Sequence, residues 1–558
     1  MASLTRDDIL HVLESAPWRQ LALGSVGALV TYNVASFVYD YWYKSRSPLR
    51  MLPAPKESAN WIFGHLPVMM DGEKNETQER WVAELGETFA VRALFGKYLL
   101  VTTDTRANAH ILSATHIYQK PDIIRRATKR FLGEGVFLAE GEEHKHQRRM
   151  LNPAFGFAHT RDLTPIFLEK GAQLREIWNN KCVEAGGSVH LDALDWISRA
   201  TFDSIGKAGF DYDFGTMNED GETNEMAEAF NTIFRADATP FEEMRGMLND
   251  RFPLLRAIAP GKRSRDVDKG KIIVDRVCKE IVQKKKAAVL AELGGDSATI
   301  NKSSVAGNDI ITLLLRANLA KDVDPSSRLS DEQIQGQIPT FLVAGHESTS
   351  ETVVWAMYSL AVNPEMQTKL REELRTISTD TPTLDMLNTL TYLDQVCREV
   401  LRLNTVVSFV QREAMQDDVI PLGKPVKDRN GQLLTHINVQ KGDQVMIPIW
   451  LINRSKSIWG PDADRFRPER WENIPAEAAG IPGIAPNLMS FYGGPRSCIG
   501  FRFAIAEMKS LLFHVVRGFE FKLAVDEDAL WSRSGILMRP QLRGSNKTEL
   551  PVVLTPLE

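Results

Sequence analysis

Apolar and polar positions alternate with a helical period over long parts of the chain. Ser330-Asp-Glu-Gln333 has the spacing of a capping box, and helical patterning then runs to Ala361, where Asn363-Pro364 stops it. A second helical pattern begins just after Gly500. Residues 98–103 are instead typical of a strand, and residues 89–94 of its partner. The pattern predicts a long central helix, a late helix and a strand pair.

The N-terminal region contains an uncharged stretch at residues 21–39, flanked by Trp18 and by the aromatic run 41–43. Its length is near the minimum for crossing a bilayer, and basic residues follow it, which favours a cytosolic location for the rest of the chain. We therefore expect a lumenal segment at 1–20, a transmembrane anchor at 21–43, a basic and proline-rich hinge at 44–60 and one large domain at 61–558. A buried core helix is the alternative reading of the anchor. An acidic start and a bulky exit argue against a cleaved signal peptide.

Composition narrows the class of protein. The chain has 558 residues, of which 43% are hydrophobic and 25% charged, with a net charge of −5. These values argue against nucleic-acid binding and against wholesale disorder. The four cysteines show no paired spacing and no zinc pattern, which is consistent with a reducing compartment.

Cys498 lies in the most distinctive stretch, Phe491-Tyr-Gly-Gly-Pro-Arg-Ser-Cys-Ile-Gly500. The glycines and the proline predict a tight loop, and the helical pattern after Gly500 places Cys498 at the start of a helix. Unpaired N–H groups and the helix dipole there favour a thiolate, which is a ligand for iron. The alternative is a buried structural cysteine after a glycine-rich turn.

The spacing Phe-x-x-Gly-x-Arg-x-Cys-x-Gly, carried by Phe491, Gly494, Arg496, Cys498 and Gly500, resembles the haem-binding signature of the cytochrome P450 family. The resemblance implies a mainly α fold with small β-sheets, preceded here by a single N-terminal transmembrane helix. It also implies haem b as the cofactor, with Cys498 as the axial iron ligand. Arg496 would bind a haem propionate, and Phe491 and Gly500 would border the cofactor. Residues 61–558 would then form the haem-thiolate catalytic domain.

The central helix carries Ala344-Gly-His-Glu-Ser-Thr349, which resembles the oxygen-activation motif of the same family. By this resemblance Glu347 is the acid and Ser348 the alcohol that pass protons during oxygen activation. Ser348 stands where threonine is usual, and Thr349 lies about 100° further around the helix, so it should not replace Ser348. Pro339 is expected to bend the helix shortly before this motif.

Other positions match the family in order and spacing. Glu399, Arg402 and Arg470 correspond to its structural charge cluster, here called the charge lock. Arg148 and Arg412 correspond to residues that contact haem propionates. His144 replaces the aromatic residue that the family commonly has four positions before Arg148. The substrate pocket would be lined by mostly apolar side chains, namely Phe341, Leu342, Ala344, Val406, Val407, Phe409, Ile536 and Leu537.

The resemblance further implies a membrane-anchored monooxygenase of the endoplasmic reticulum with its catalytic domain in the cytosol. Electrons would come from an NADPH–cytochrome P450 reductase, with cytochrome b5 as a second candidate donor, because the chain has no flavin or nicotinamide motif of its own. The motifs look most like those of fungal members, many of which act on terpenoids and other secondary metabolites. Two rivals are a haem-thiolate isomerase or dehydratase and a non-catalytic haem sensor. The predicted docking residues for the reductase are Lys145, Arg149, Arg502 and Lys509.

Overall fold

The structure is a computed structural model that describes residues 18–70, 72–73, 75–218, 224–234, 245–246, 249, 261–294, 309–320, 328–532, 537–545 and 547–557. Ile536 of the predicted pocket lies outside these residues. The described helices are α1 Trp18–Lys44, α2 Leu66–Met70, α3 Glu76–Leu85, α4 Thr105–Ser113, α5 Asp122–Leu132, α6 Gly141–Leu151, α7 Phe157–Glu184, α8 Ala193–Phe210, α9 Glu225–Phe234, α10 Lys262–Gly294, α11 Ile310–Leu319, α12 Asp331–Gln335, α13 Gln337–Ala361, α14 Pro364–Arg375, α15 Leu384–Thr389, α16 Thr391–Leu403, α17 Ile449–Asn453, α18 Lys456–Trp459 and α19 Phe501–Gly518.

The strands form small sheets beside this helical body. They are β1 Thr88–Arg92, β2 Tyr98–Thr102, β3 Tyr118–Gln119, β4 Val189–Asp192, β5 Val410–Ala414, β6 Asp418–Lys427, β7 Leu433–Val439, β8 Gln444–Ile447, β9 Phe519–Leu523, β10 Leu530–Trp531, β11 Gln541–Leu542 and β12 Pro551–Pro556. The largest sheet has the order β1-β2-β8-β5-β3, and a three-stranded sheet has the order β4-β12-β9. The predicted strand pair is confirmed, because Phe89 of β1 lies opposite Val101 of β2.

Helix α13 lies at the centre of the fold, packed against α8, α16 and α19. Twenty of its 25 residues are buried, so both sides of the helix contribute to the core. The predicted capping box at Ser330 and Gln333 is present. The prediction of one unbroken helix was wrong, because the chain divides into α12 and α13 at Gly336. A side chain at Gly336 would come within 2.7 Å of the backbone at Glu134, so glycine is needed there.

Pro339 is the third residue of α13, not an interior residue of one long helix. In the first turn the missing N–H of proline has no intrahelical partner to lose, so proline is tolerated there. The helix boundary at Gly336 lies three residues before Pro339.

Helix α1 covers the stretch predicted to be a transmembrane anchor. Within the described part of the chain, no helix is both long enough and apolar enough to cross a membrane. The predicted anchor is therefore not supported, since small and polar residues such as Ser25, Thr31, Asn33 and Asp40 interrupt the apolar run. The C-terminal end of α1 contacts the rest of the protein through Phe37, whose ring lies 5.3 Å from that of Phe95.

Candidate active site

The loop before α19 holds Cys498 in a defined backbone conformation. The N–H of Cys498 donates to the carbonyl oxygen of Phe491 at 2.9 Å, which closes the loop. Gly494 has a φ of +66°, and a side chain there would meet the carbonyl oxygen of Leu112 at 2.6 Å. At Gly493 the carbonyl oxygen of Pro482 would lie 1.8 Å from a side chain. The two glycines are thus required by neighbouring backbone, as the loop sequence predicts.

Cys498 is accessible, whereas Cys182, Cys278 and Cys397 are buried. A surface cleft of about 250 Å³ reaches it, lined by Arg148, Asn152, Phe155, Gly156, Ile484, Ser497, Cys498, Ile499, Phe501 and Arg502. The surrounding protein raises the pKa of the Cys498 thiol by burial, and the N–H of Gly500 and the charge of Arg148 lower it. The N–H of Gly500 and the charge of Arg148 therefore favour the thiolate, and burial opposes it. A coordinated metal deprotonates such a thiol outright.

Positive side chains crowd together beside this loop. Arg496 donates to the carbonyl oxygen of Ala139 at 3.0 Å and forms an ion pair with Glu140. Lys120 lies 3.5 Å from the same Glu140 carboxylate. Burial and the neighbouring Arg412 are the main causes that lower the pKa of Lys120 to about 7. The sequence missed Lys120 and Glu140, which belong to no recognisable motif.

Arg412 joins Lys120 and Arg496 in this cation cluster, and His144 lies beside it. The guanidinium of Arg412 lies 5.0 Å from the centre of the Tyr492 ring. Burial, followed by the charge of Arg496, lowers the pKa of His144 to about 3, so the imidazole is neutral. Arg496 and Lys120 both pair with the carboxylate of Glu140, and Arg412 lies near enough to help lower the pKa of Lys120. Such an excess of positive charge favours a ligand with carboxylate groups.

Arg148 has a different environment from the other predicted propionate ligands. Its guanidinium donates to the carbonyl oxygen of Ser497 at 2.6 Å and to the side chain of Asn152 at 2.9 Å. It therefore braces the backbone immediately before Cys498 from helix α6.

On α13, the turn from residue 344 to residue 349, here called the relay turn, has one accessible edge. Ala344 is exposed and Ser348 half-buried, one helical turn apart, whereas Glu347 is buried. The hydroxyl of Ser348 donates to the carbonyl oxygen of Ala344 at 2.6 Å. The carboxylate of Glu347 pairs with Arg539 at 2.6 Å, a contact that the sequence did not predict.

Thr349 is buried on another side of α13, next to Glu507 of α19. Burial raises the pKa of Glu507 well above its usual range, and the hydroxyls of Ser204 and Thr349 lower it only in part. The hydroxyl of Thr349 therefore lies in a buried contact between α13 and α19. It does not share the accessible edge with Ser348, as the angle between the two residues on the helix predicts.

The charge lock residues come together in the core. The carboxylate of Glu399 accepts from Arg402 at 2.8 and 2.9 Å and from Arg470 at 3.4 Å, and all three side chains are almost fully buried. It also accepts from the indole N–H of Trp471 at 3.1 Å. Arg402 donates to the carbonyl oxygens of Asn453, Ala463 and Arg465, which ties the irregular chain before the Cys498 loop to α16.

Comparison of the sequence with known proteins identifies the family to which this site belongs. The sequence profile of the family described as Cytochrome P450 matches residues 53–544. The chain belongs to the cytochrome P450 family.

Curated relatives agree with the profile over nearly the whole chain. Cytochrome P450 monooxygenase 205 of Postia placenta is 43% identical over 96% of this chain and 99% of its own. A ganoderic acid synthetase of Ganoderma lucidum is 33% identical over 94% and 98%. Cytochrome P450 monooxygenase claP of Ampulloclitocybe clavipes is 33% identical over 86% and 88%. The protein is therefore an oxidoreductase of the monooxygenase type.

Members of the cytochrome P450 family are haem-thiolate proteins that take the electrons of NADPH from a partner reductase. The residues present fit haem b. Cys498 offers an accessible sulfur, and the cation cluster offers positive charge for two propionates. The Nε of Arg496 is buried and has no hydrogen-bond partner among the described residues, so its N–H is available to donate to a ligand. At Gly500 a side chain would come no nearer than 3.7 Å to Phe155, so the protein leaves open space beside this residue.

The predicted pocket residues of this cytochrome P450 divide into accessible and buried sets. Ala344, Val407, Phe409 and Leu537 are exposed or half-buried, and Leu537 pairs with Val407 in an isolated bridge. Val406 and Phe341 are buried, the latter with its ring 5.3 Å from that of Phe155. Leu342 is completely buried in the helical core, so it packs the helices together and does not line a cavity.

The predicted docking residues also differ in their environment. Arg149 and Arg502 are exposed. Lys145 is exposed but pairs with Glu142 at 2.6 Å. Lys509 is only 2% exposed and pairs with Asp394, so the prediction that it guides a partner is wrong.

Proposed function

We propose that this cytochrome P450 inserts one atom of O2 into an apolar secondary metabolite, a terpenoid or a compound of similar character. The observation that carries the proposal is the accessible thiol of Cys498 in its closed loop beside the cation cluster. The mainly apolar side chains of the accessible pocket residues support an apolar substrate. The relative named ganoderic acid synthetase supports a role in secondary metabolism.

Haem b bound through Cys498 supplies the reductive activation of O2, with electrons that reach it from NADPH through the reductase. Arg412, Arg496 and Lys120 hold its carboxylates in this proposal, and the charge lock fixes the chain that leads to Cys498. Glu347 takes up and releases protons, and the hydroxyl of Ser348 passes them on at the accessible edge of the relay turn.

We also propose that the protein lies at the endoplasmic reticulum membrane, with residues 61–558 in the cytosol. Exposed aromatic side chains on α1, namely Tyr32, Tyr39, Tyr41 and Trp42, support attachment of this helix to a lipid surface. Arg46, which lies 3.9 Å from the Trp42 ring, follows at the end where anionic headgroups would be met.

The test is transfer of isotope from 18O2. Full-length protein, a cytochrome P450 reductase and NADPH are incubated under 18O2 with lanosterol and a sesquiterpene hydrocarbon as probes. The proposal predicts a product that contains one 18O atom and forms only with NADPH. A rearranged or dehydrated product without label and without NADPH would favour the isomerase or dehydratase. Haem binding with no product from any probe would favour the sensor.

A further inference from the structure

Arg539 is held in a fixed place beside α13 by the short segment that contains it. The N–H of Met538 donates to the carbonyl oxygen of Val406 at 2.9 Å. The indole N–H of Trp355, on α13 itself, donates to the carbonyl oxygen of Met538 at 2.9 Å. Both contacts fix the backbone of Met538, the residue immediately before Arg539.

The guanidinium of Arg539 forms ion pairs with two carboxylates. Its Nη2 lies 2.6 Å from Oε2 of Glu347, and its Nε lies 3.3 Å from Oε1 of Glu351. The two carboxylates are one helical turn apart on α13, and both are buried. Two buried like charges at this spacing repel each other unless a cation lies between them. Arg539 is that cation.

The other side of Glu347 contacts an imidazole. Nδ1 of His346 lies 3.7 Å from Oε1 of Glu347, and its Nε2 lies 2.6 Å from the hydroxyl of Ser198 on α8. The imidazole is further packed edge-on against the Phe202 ring at 5.1 Å. Glu347 is therefore held between α8 and the segment at 537–539, and contacts on both sides fix the orientation of its carboxylate.

We propose that Arg539 and Glu351 form a charge-compensating pair that positions Glu347 and lets it alternate between carboxylate and acid, an inference that rests on the monooxygenase function proposed above. A proton from water binds the carboxylate of Glu347 and later leaves the same group towards the accessible edge of the relay turn. While Glu347 is neutral, Glu351 keeps the charge of Arg539 paired. Without Glu351, each protonation of Glu347 would remove the second of these carboxylate charges from beside the largely buried guanidinium of Arg539, which is unfavourable.

The test uses variants of the full-length enzyme with whichever probe of the 18O2 experiment is turned over. Arg539→Gln should lower product per NADPH by about tenfold, less than the roughly hundredfold effect on rate of losing a proton-transfer group itself, because Arg539 only positions that group. Arg539→Lys keeps the positive charge but lacks the planar guanidinium that contacts both carboxylates. It should restore most of the product formed per NADPH. Glu351→Gln should lower product per NADPH and increase the rate difference between H2O and D2O. Arg543→Gln is the matched control, because Arg543 pairs with Glu73 in an exposed contact, and it should behave as wild type.

Two outcomes separate a positioning role from a structural one. In a Glu347→Gln background, Arg539→Gln should cause no further loss of product per NADPH. A full additional loss there, or wild-type coupling in Arg539→Gln or Glu351→Gln, would overturn the inference.

Thermal unfolding distinguishes failure of this inference from failure of the proposed function. Arg539→Gln should lower Tm by less in the Glu347→Gln background than in wild type, because the buried partner is already gone. Equal Tm losses in both backgrounds would overturn the positioning of Glu347 by Arg539 even if no probe is oxidised. If Arg539→Gln does not fold, Arg539→Lys and Glu351→Gln give the same comparison.

Discussion

The hydroxyl of Ser348 donates a hydrogen bond to the carbonyl oxygen of Ala344, 2.6 Å away in the preceding turn of α13. This local bond fixes the hydrogen atom of the serine and leaves its oxygen lone pairs available at the accessible edge of the helix. The alcohol of the relay turn thus has a defined orientation even without the methyl group that restricts threonine.

Ser348→Ala should reduce product per NADPH by about tenfold and increase peroxide release, because proton transfer loses one group. Ser348→Thr should preserve or improve coupling. Ser359→Ala is the control, because Ser359 makes the same type of bond, to Trp355, elsewhere on the same helix. Unchanged coupling in Ser348→Ala would remove Ser348 from the relay.

Glu399→Gln should destabilise the protein by about 3–5 kcal/mol, because it leaves the buried guanidiniums of Arg402 and Arg470 without their shared charge. The measurement is denaturant unfolding followed together with haem content. Glu469→Gln, which breaks the exposed pair with Lys369, should change stability by no more than about 1 kcal/mol. Equal effects of the two substitutions would contradict the assigned role of the charge lock.

Asp443 gives a prediction of pH dependence at the junction between α1 and the sheet. Burial raises the pKa of Asp443 to about 6, although Gln440, Ser47 and Lys44 lower it; nearby Asp417 adds to the rise. The folded protein therefore binds more protons than the unfolded chain between about pH 4 and pH 6, and stability falls as pH rises through this window. Asp443→Asn should remove this fall, so its stability relative to wild type should increase by about 2–3 kcal/mol from pH 4 to pH 7. Parallel stability curves for the two proteins would refute the assignment.

The joint substitution of Arg149 and Arg502 by Glu should slow reductase-driven turnover most at low ionic strength, because exposed charges mainly affect the association rate. Spectral shifts on substrate binding should stay normal. Lys522→Glu, an exposed lysine on β9, is the control. A slower turnover that does not depend on salt would contradict a docking role.

Local sequence predicted what short-range geometry decides. The capping box at Ser330, the pairing of β1 with β2 and the helix after Gly500 all depend on residues close in sequence, and all are present. The break at Gly336 was missed because it depends on the approach of residues 134 and 135, about two hundred positions away.

The same distinction applies to the site. Motif spacing located Cys498, Glu347 and the charge lock. It could not show that Arg539 shares its charge between Glu347 and Glu351, or that Lys120 joins Arg496 at Glu140, because nothing in the sequence near these residues indicates their distant partners. Burial also contradicted the docking role expected for Lys509.

The most direct test of the account is the spectrum of the reduced protein with carbon monoxide, for wild type, Cys498→Ser and Cys397→Ser. A thiolate ligand gives the red-shifted Soret band that defines the haem-thiolate class, and a serine oxygen is not a comparable donor to iron. We predict the band in wild type and in Cys397→Ser, whose cysteine is buried, and its absence in Cys498→Ser. Survival of the band in Cys498→Ser would contradict the assignment of Cys498 as the iron ligand.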